Sequence, residues 1–211
     1  MKASLALPLA LMAACAAPAP KTEPWLNLFD GQDLGAFAVT NFGGQGDVRV
    51  KDGAILLEAG APLTGIHWEG ASLPTCDYEL ALEATRVDGS DFFCGLTFPV
   101  HDAHVTLVLG GWGGSLVGIS CLDGMDASSN ATRRTMTFET GRPYRIRVVV
   151  GLDHVSAMVD DHEVLSFDPR AHALSLRPEV VLSRPLGVAT FATTALLRDL
   201  RWRRVATAPQ K

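Results

Sequence analysis

Apolar and polar residues alternate with a period of two along several segments of the chain. Tyr78, Leu80 and Leu82 alternate with Glu79 and Glu83, and the same pattern recurs over residues 145–150. Residues 155–167 contain two further alternating runs separated by two aspartates, as in a hairpin. Because successive side chains of a strand point to opposite faces, this pattern predicts strands that are buried on one side only.

Three other segments, 92–98, 105–109 and 116–121, are almost continuously apolar. Such segments are typical of central strands that are covered on both faces. Helical periodicity is nearly absent, and only His172–Leu176 could form a helical turn. The number of short segments and the turns between them predict an all-β fold, a two-sheet antiparallel sandwich of the jelly-roll type.

The first fifteen residues have the pattern of an export signal. A lysine at position 2 precedes a short apolar run that ends in Leu11-Met12-Ala13-Ala14-Cys15. The run is too short to span a bilayer. Its end resembles a bacterial lipobox, which predicts that Cys15 carries a lipid anchor. The alternative is an ordinary signal peptide that is cleaved near Ala17, so that Cys15 is removed.

The remaining chain divides into a tether, one domain and a tail. Residues 16–24 are rich in Ala and Pro, which predicts a tether. We expect residues 25–205 to form the β-sandwich domain and residues 206–211 to form a C-terminal tail. We expect an exported bacterial lipoprotein of the outer membrane, periplasm or cell surface. Its only membrane contact would be the lipid anchor.

Composition excludes some classes of partner and some kinds of site. The net charge of −5 over 211 residues provides no basic surface for nucleic acid. After Cys15 the cysteines are Cys76, Cys94 and Cys121, which form no C-x-x-C pair and so do not indicate a zinc site. They permit at most one disulfide, and buried free thiols are at least as compatible with the sequence.

Candidate acid–base residues lie around the second of the apolar segments. Asp102 and His104 are two positions apart, so on a strand they would share a face, and an aspartate beside a histidine can make it a better general base. Asp91 precedes another apolar segment and could reach the same cleft. The alternative for the Asp102–His104 pair is a surface turn whose polar groups face water.

Trp112 is flanked by two glycines on each side. Without bulky neighbours its indole could stack against a sugar ring, with nearby polar groups binding the hydroxyls. The alternative is a glycine-rich turn in which Trp112 folds back over the core.

A polar loop over residues 122–130 supplies side-chain oxygens, among them those of Asp123 and Asn130. These two are candidate ligand contacts. The loop lacks the spacing of an EF-hand, so a solvated loop is favoured, although a divalent cation is possible. The sequence requires no cofactor.

The order of several short motifs resembles the 3-keto-disaccharide hydrolase family, formerly DUF1080. The motifs are Leu28-Phe29-Asp30-Gly31-x-Asp33-Leu34, Val50-Lys51-Asp52-Gly53-Ala54-Ile55, Asp77-Tyr78-Glu79-Leu80, Tyr144-Arg145-Ile146, Pro185-Leu186-Gly187-Val188 and Leu197-Arg198-Asp199-Leu200-Arg201. The resemblance extends over residues 25–205. It implies a concanavalin-like or laminin-G-like jelly roll and cleavage of 3-keto-glycosidic bonds through abstraction of the C2 proton.

The chain departs from that family at its polar cleft positions. Where members commonly have Asn-Ser-Gly-Ile and Glu-x-Gln, this chain has Phe93-Cys94-Gly95-Leu96 and Thr-Leu-Val-Leu at 106–109. Two hypotheses follow. The first is an enzyme acting on 3-keto-sugars, with His104 as base, Asp102 behind it and Trp112 stacking the ring. The alternative is a non-catalytic carbohydrate-binding or cell-envelope module, because a fold does not decide function.

Overall fold

The computed structural model describes residues 22–205, and these form two antiparallel β-sheets packed face to face. The strands are β1 (Leu26–Asn27), β2 (Phe37–Val39), β3 (Val48–Lys51), β4 (Ala54–Leu57), β5 (Leu63–Trp68), β6 (Tyr78–Gly89), β7 (Cys94–Val100), β8 (Ala103–Gly110), β9 (Leu116–Ser120), β10 (Arg134–Thr135), β11 (Pro143–Val150), β12 (Val155–Val159), β13 (His162–Phe167), β14 (Gly187–Phe191) and β15 (Thr193–Arg204).

Strand order separates the chain into two sheets. The first sheet has the order β13-β12-β11-β6-β15-β4-β3, with β1 also paired to β15, and the second has the order β10-β9-β8-β7-β14-β5-β2. All the pairings are antiparallel, which confirms the predicted all-β, two-sheet sandwich. The predicted hairpin at 155–167 is also confirmed, with Asp160 and Asp161 in its turn.

The hydrophobic core lies between the sheets and is built from the alternating positions. Leu80 and Leu82 of β6 and Ile146 and Val148 of β11 are buried there, as the period-two pattern requires. Every residue of β7 and of β9 is buried, which confirms that the continuously apolar segments are covered on both faces.

Loops cover part of the outer face of the second sheet, the face turned away from the core. Ala127, in the loop after β9, packs against Gly118. Its Cβ lies 3.0 Å from the position that a Cβ on residue 118 would occupy. Ser183 packs in the same way over Gly187, leaving no room for a Cβ there. Between these loops the outer face carries a cleft, which forms the candidate site.

Between residues 22 and 205 helical structure is confined to short turns, but the predicted location was wrong. Residues 172–176 are not helical, because Asp123 and Ser175 form backbone hydrogen bonds that draw this segment alongside the loop after β9. The helical turns lie instead at Pro169–Ala171 and Pro178–Ser183, both beginning at a proline, and at Gly111–Gly114.

Within residues 22–205 no helix is long and apolar enough to cross a membrane. Cys76, Cys94 and Cys121 are all free thiols, the second of the two arrangements that the sequence permitted. Cys15, most of the predicted tether and the tail at 206–211 lie outside the described residues.

Candidate functional site

A cleft of about 310 Å³ opens on the outer face of the second sheet. Thr106 and Val108 of β8 and Ser120 of β9 form its floor, since their neighbours Leu107 and Ile119 point into the core. Its walls come from five separate segments and consist of Leu63, Asp91, Phe92, Trp112, Arg177, Glu179, Val180 and Phe191. The cleft is therefore mainly apolar, with a few charged groups.

Trp112 is held at the cleft by an unusual backbone. Its φ of 48° and ψ of 55° lie in the left-handed region, and Gly113 beside it has a φ of 86°. A bulky residue rarely adopts this conformation, which costs about 1–3 kcal/mol and persists only where the surroundings enforce it. The side chain of Trp112 is 45% exposed, so the predicted exposed tryptophan is observed and the alternative of a lid over the core is not.

Asp91 lies beside Trp112 and helps to hold its turn. One carboxylate oxygen of Asp91 accepts a hydrogen bond from the backbone N–H of Phe92 at 2.7 Å, and the other accepts from that of Gly113 at 3.3 Å. Phe191 adds a second exposed ring, at 38% exposure, whose centroid is 5.7 Å from that of Phe92. Asp91 and Trp112, two of the residues selected from the sequence, thus meet in one cleft.

Arg177 and Glu179 provide the other charged wall. Arg177 Nη2 donates to Glu179 at 2.7 Å, and its Nη1 donates to Asp126 Oδ2 at 3.1 Å. The hydrogen bond from Arg177 lowers the pKa of Glu179, and the same bond raises the pKa of Arg177, so both groups stay charged. Together with Asp91 these residues leave the cleft with an excess of negative charge.

The predicted pair of Asp102 and His104 is not formed. Asp102 lies in the exposed turn between β7 and β8, and the strand begins only at Ala103, so the two residues do not share a strand face. Across residues 22–205 no hydrogen bond joins them. His104 is half-buried opposite Pro99, outside the residues that line the cleft. Burial, and then the nearby positive charge of Arg184, lower the pKa of His104.

Asp123 has a histidine partner that the sequence did not indicate. Its Oδ2 lies 2.7 Å from Nδ1 of His172, and its Oδ1 accepts from the backbone N–H of Ala173 at 2.8 Å. These two hydrogen bonds lower the pKa of Asp123. The pair joins the loop after β9 to the segment around 172–175 and does not line the cleft.

Asn130 is a structural residue, which corrects its selection as a ligand contact. It is only 7% exposed, and its Nδ2 donates to the carbonyls of Ile119, Met125 and Asp126 at 2.7–3.1 Å. Its Oδ1 accepts from the N–H and hydroxyl of Thr132 at 2.9 and 2.6 Å. All its hydrogen-bonding capacity is used in closing the loop, so none remains for a ligand.

No three acidic, histidine or cysteine side chains in the described part of the chain are arranged to hold a metal ion. The carboxylate oxygens of the 122–130 loop are engaged by protein donors. Asp126 accepts from the backbone and hydroxyl of Ser128 at 2.9 and 2.6 Å and from Arg177, and Asp123 pairs with His172.

Sequence reasoning missed Leu63, Phe191, Arg177 and Glu179, which complete the cleft. Each lies in a different segment from Trp112. The one local signal was the aromatic side chain of Phe191 at the end of an apolar run, and the sequence around Leu63, Arg177 and Glu179 gives none.

The fold occurs in several solved structures. One is a protein of unknown function with a galectin-like fold from Bacillus subtilis, with a TM-score of 0.62, 10% identity, and coverage of 90% of this chain and all of that one. Another is domain 4 of an extracellular arabinanase from Geobacillus stearothermophilus, in complex with arabinotriose, with a TM-score of 0.57, 15% identity and coverage of 91% and 96%. The carbohydrate-binding module CBM66 from Bacillus subtilis has a TM-score of 0.53, 14% identity and coverage of 78% and 93%.

No family model and no curated protein matches the chain. The structural similarities therefore establish the jelly-roll fold, and the resemblance to 3-keto-disaccharide hydrolases stays a prediction.

Proposed function

We propose that this protein binds neutral glycans in the cleft around Trp112. The observation that carries the proposal is the exposed indole of Trp112, held in a left-handed backbone conformation beside Asp91 and Phe191. Aromatic faces stack against the C–H faces of sugar rings, and a carboxylate such as that of Asp91 accepts hydrogen bonds from hydroxyls. Two of the similar structures are carbohydrate-binding by their own description, and this agrees with the proposal.

Charge favours neutral over acidic sugars. Arg177, the one cation among the residues that line the cleft within the described chain, is already paired with Glu179 and Asp126. A uronic acid would therefore meet Asp91 and Glu179 without a free cation. Like charges at close range disfavour binding, so we expect neutral oligosaccharides to bind more tightly than acidic ones.

Binding is tested on a glycan array, and by calorimetry with arabinotriose as a first defined probe. Replacement of Trp112 by Ala removes the stacking surface, and we expect it to cost about 2 kcal/mol, roughly a 30-fold loss of affinity. The melting temperature should change little, because the side chain is exposed. Leu152→Ala is a matched control, since Leu152 is a similarly exposed apolar residue in the turn between β11 and β12. Equal affinities of the wild type and the Trp112 variant would refute the proposal.

A second candidate is cleavage of 3-keto-glycosides, by the resemblance noted in the sequence. The observation that favours it is His104, which lies two and four residues before Thr106 and Val108 on β8 and so shares the outer face of the sheet with the cleft floor. A lowered pKa leaves its imidazole neutral at pH 7, as a general base requires.

The enzyme hypothesis is tested with 3-keto-glucosides. If His104 abstracts the C2 proton, His104→Ala should lower turnover roughly 10²–10⁴-fold. His162→Ala is the control, because His162 is an exposed histidine at the start of β13 in the other sheet. Equal rates in the wild type and the His104 variant would exclude His104, and no turnover in any of them would leave glycan binding as the function.

We also propose that Cys15 anchors the domain to a membrane with the cleft directed away from it. In support, Thr22 bridges Val205 at one end of β15, whereas Asp91 contacts Thr193 at the other end. Twelve residues of strand separate the two ends by roughly 35 Å. Mass spectrometry of the N-terminal peptide tests the anchor, and an unmodified N-terminus beyond Cys15 would refute it.

A further inference from the structure

Arg86, near the end of β6, is a buried cation on which the charge of Asp91 acts only from beyond ion-pair distance. It is 6% exposed, and no salt bridge to it is found between residues 22 and 205. Burial lowers the pKa of its guanidinium, and the carbon of that group lies 5.1 Å from the centre of the Phe93 ring. A buried charge is costly unless it is compensated, so its position calls for a reason.

The compensation comes from the two segments that form the Trp112 wall of the cleft. Nη2 of Arg86 donates to the backbone carbonyls of Gly114 at 3.0 Å, Asp91 at 3.3 Å and Gly110 at 3.5 Å. Gly110 and Gly114 enclose the turn that carries Trp112. One guanidinium thus holds both ends of that turn and connects them to the segment of Asp91.

Gly110 leaves space for this guanidinium, because a Cβ there would overlap Nη2 of Arg86. A Cβ at Gly114 would make only an ordinary contact with Nη1, at 3.5 Å. Both glycines also have positive φ, of 77° and 106°. The glycine-rich segment therefore serves two purposes: it permits the left-handed turn and it admits the arginine beneath it.

We propose that Arg86 is a positioning residue for Trp112. It acts through the backbone carbonyls and fixes the orientation in which the indole is presented to a ligand. The expected effect of Arg86 on glycan affinity rests on the proposed function, but the orientation of the indole can be measured without a ligand.

The test uses the full chain labelled with 5-fluorotryptophan, whose four tryptophans give four ¹⁹F NMR resonances. The resonance of Trp112 is assigned as the one missing from Trp112→Phe. In Arg86→Met we expect this resonance to shift or broaden, while those of Trp25, Trp68 and Trp202 stay in place. An unchanged Trp112 resonance in a folded Arg86→Met protein would overturn the proposal.

Arg86→Lys is the second variant, in case the methionine variant does not fold. It keeps the charge, but the lysine side chain is one bond shorter, so its nitrogen does not reach the position of Nη2, from which all three carbonyls are contacted. We expect the chemical shift of Trp112 in this variant to lie between that of the wild type and that of Arg86→Met. A chemical shift equal to that of the wild type would overturn the proposal. Arg142→Met is the matched control, because Arg142 also lies over an aromatic ring, 4.2 Å from that of Tyr144, but pairs with Asp160.

Glycan affinity, measured on the same variants with the array probes that bind the wild type, separates the two proposals. We expect Arg86→Met to bind at least 10-fold more weakly than Arg142→Met. If the Trp112 resonance moves but no glycan binds even the wild type, the proposed function fails and the positioning role stands. If the wild type binds and Arg86→Met matches it in resonance and affinity, the positioning role fails and the function stands.

Discussion

Replacement of Asn130 by Ala tests the difference between a ligand contact and a structural residue. The side chain lies at the base of the loop that follows β9. It joins the carbonyls of Ile119, Met125 and Asp126 to the N–H and hydroxyl of Thr132. Alanine removes all of these hydrogen bonds and leaves the buried carbonyl of Ile119 without this partner.

The expected loss follows from the number of hydrogen bonds. The two hydrogens on Nδ2 are shared among three carbonyls, and Oδ1 accepts two bonds, which makes about four bonds of about 1 kcal/mol each. The free energy of unfolding should therefore fall by about 4 kcal/mol. For a domain of this size the melting temperature should fall by roughly 8–16 °C.

Urea denaturation followed by circular dichroism measures the change, with Asn41→Ala as the control. Asn41 is also a loop asparagine, but it is exposed and accepts one bond, from the N–H of Gly43 at 3.2 Å. Its replacement should cost no more than about 0.5 kcal/mol.

Two results would refute this reasoning. A loss below about 1 kcal/mol in Asn130→Ala would mean that the loop closes without these bonds. Wild-type stability together with lost glycan affinity would restore the interpretation made from the sequence, in which Asn130 contacts the ligand.

Further predictions concern protonation and thiols. The pKa of His104 is lower in the folded chain than in the unfolded chain, where it is about 6.5. The contribution of neutral His104 to stability is therefore complete above pH 6.5 and is lost as the pH falls through the pKa of the folded state. His104→Gln should flatten the fall in melting temperature from pH 7.5 to about 5, and an unchanged slope would contradict this. Because Cys76, Cys94 and Cys121 are free, a reductant should not change the melting temperature, and a marked decrease would indicate a disulfide. Burial raises the pKa of Cys94 to about 12, so in the native protein an alkylating reagent should modify it far more slowly than the partly exposed Cys76, and equal rates would refute its burial.

The strands and their buried faces could be predicted from the sequence because they depend on local alternation. Tyr78, Leu80 and Leu82 point into the core by the geometry of any strand, whatever it pairs with. The exposure of Trp112 was also within reach, since four flanking glycines favour a turn and leave an indole uncovered. Asp91 was selected for the same local reason, as the residue before a buried strand.

Only the tertiary structure decided which of these residues act together. Phe191, Arg177 and Trp112 reach one cleft through strand order and loop packing, which no local pattern encodes. Asp102 was assigned to a strand face, but it lies in the turn between β7 and β8, and β8 begins only at Ala103, so the alternation of a strand does not orient its side chain. Asn130 and Arg86 look like ordinary polar residues in the sequence. Their roles arise because folding buries them, and a buried polar group must find its partners wherever the chain brings them.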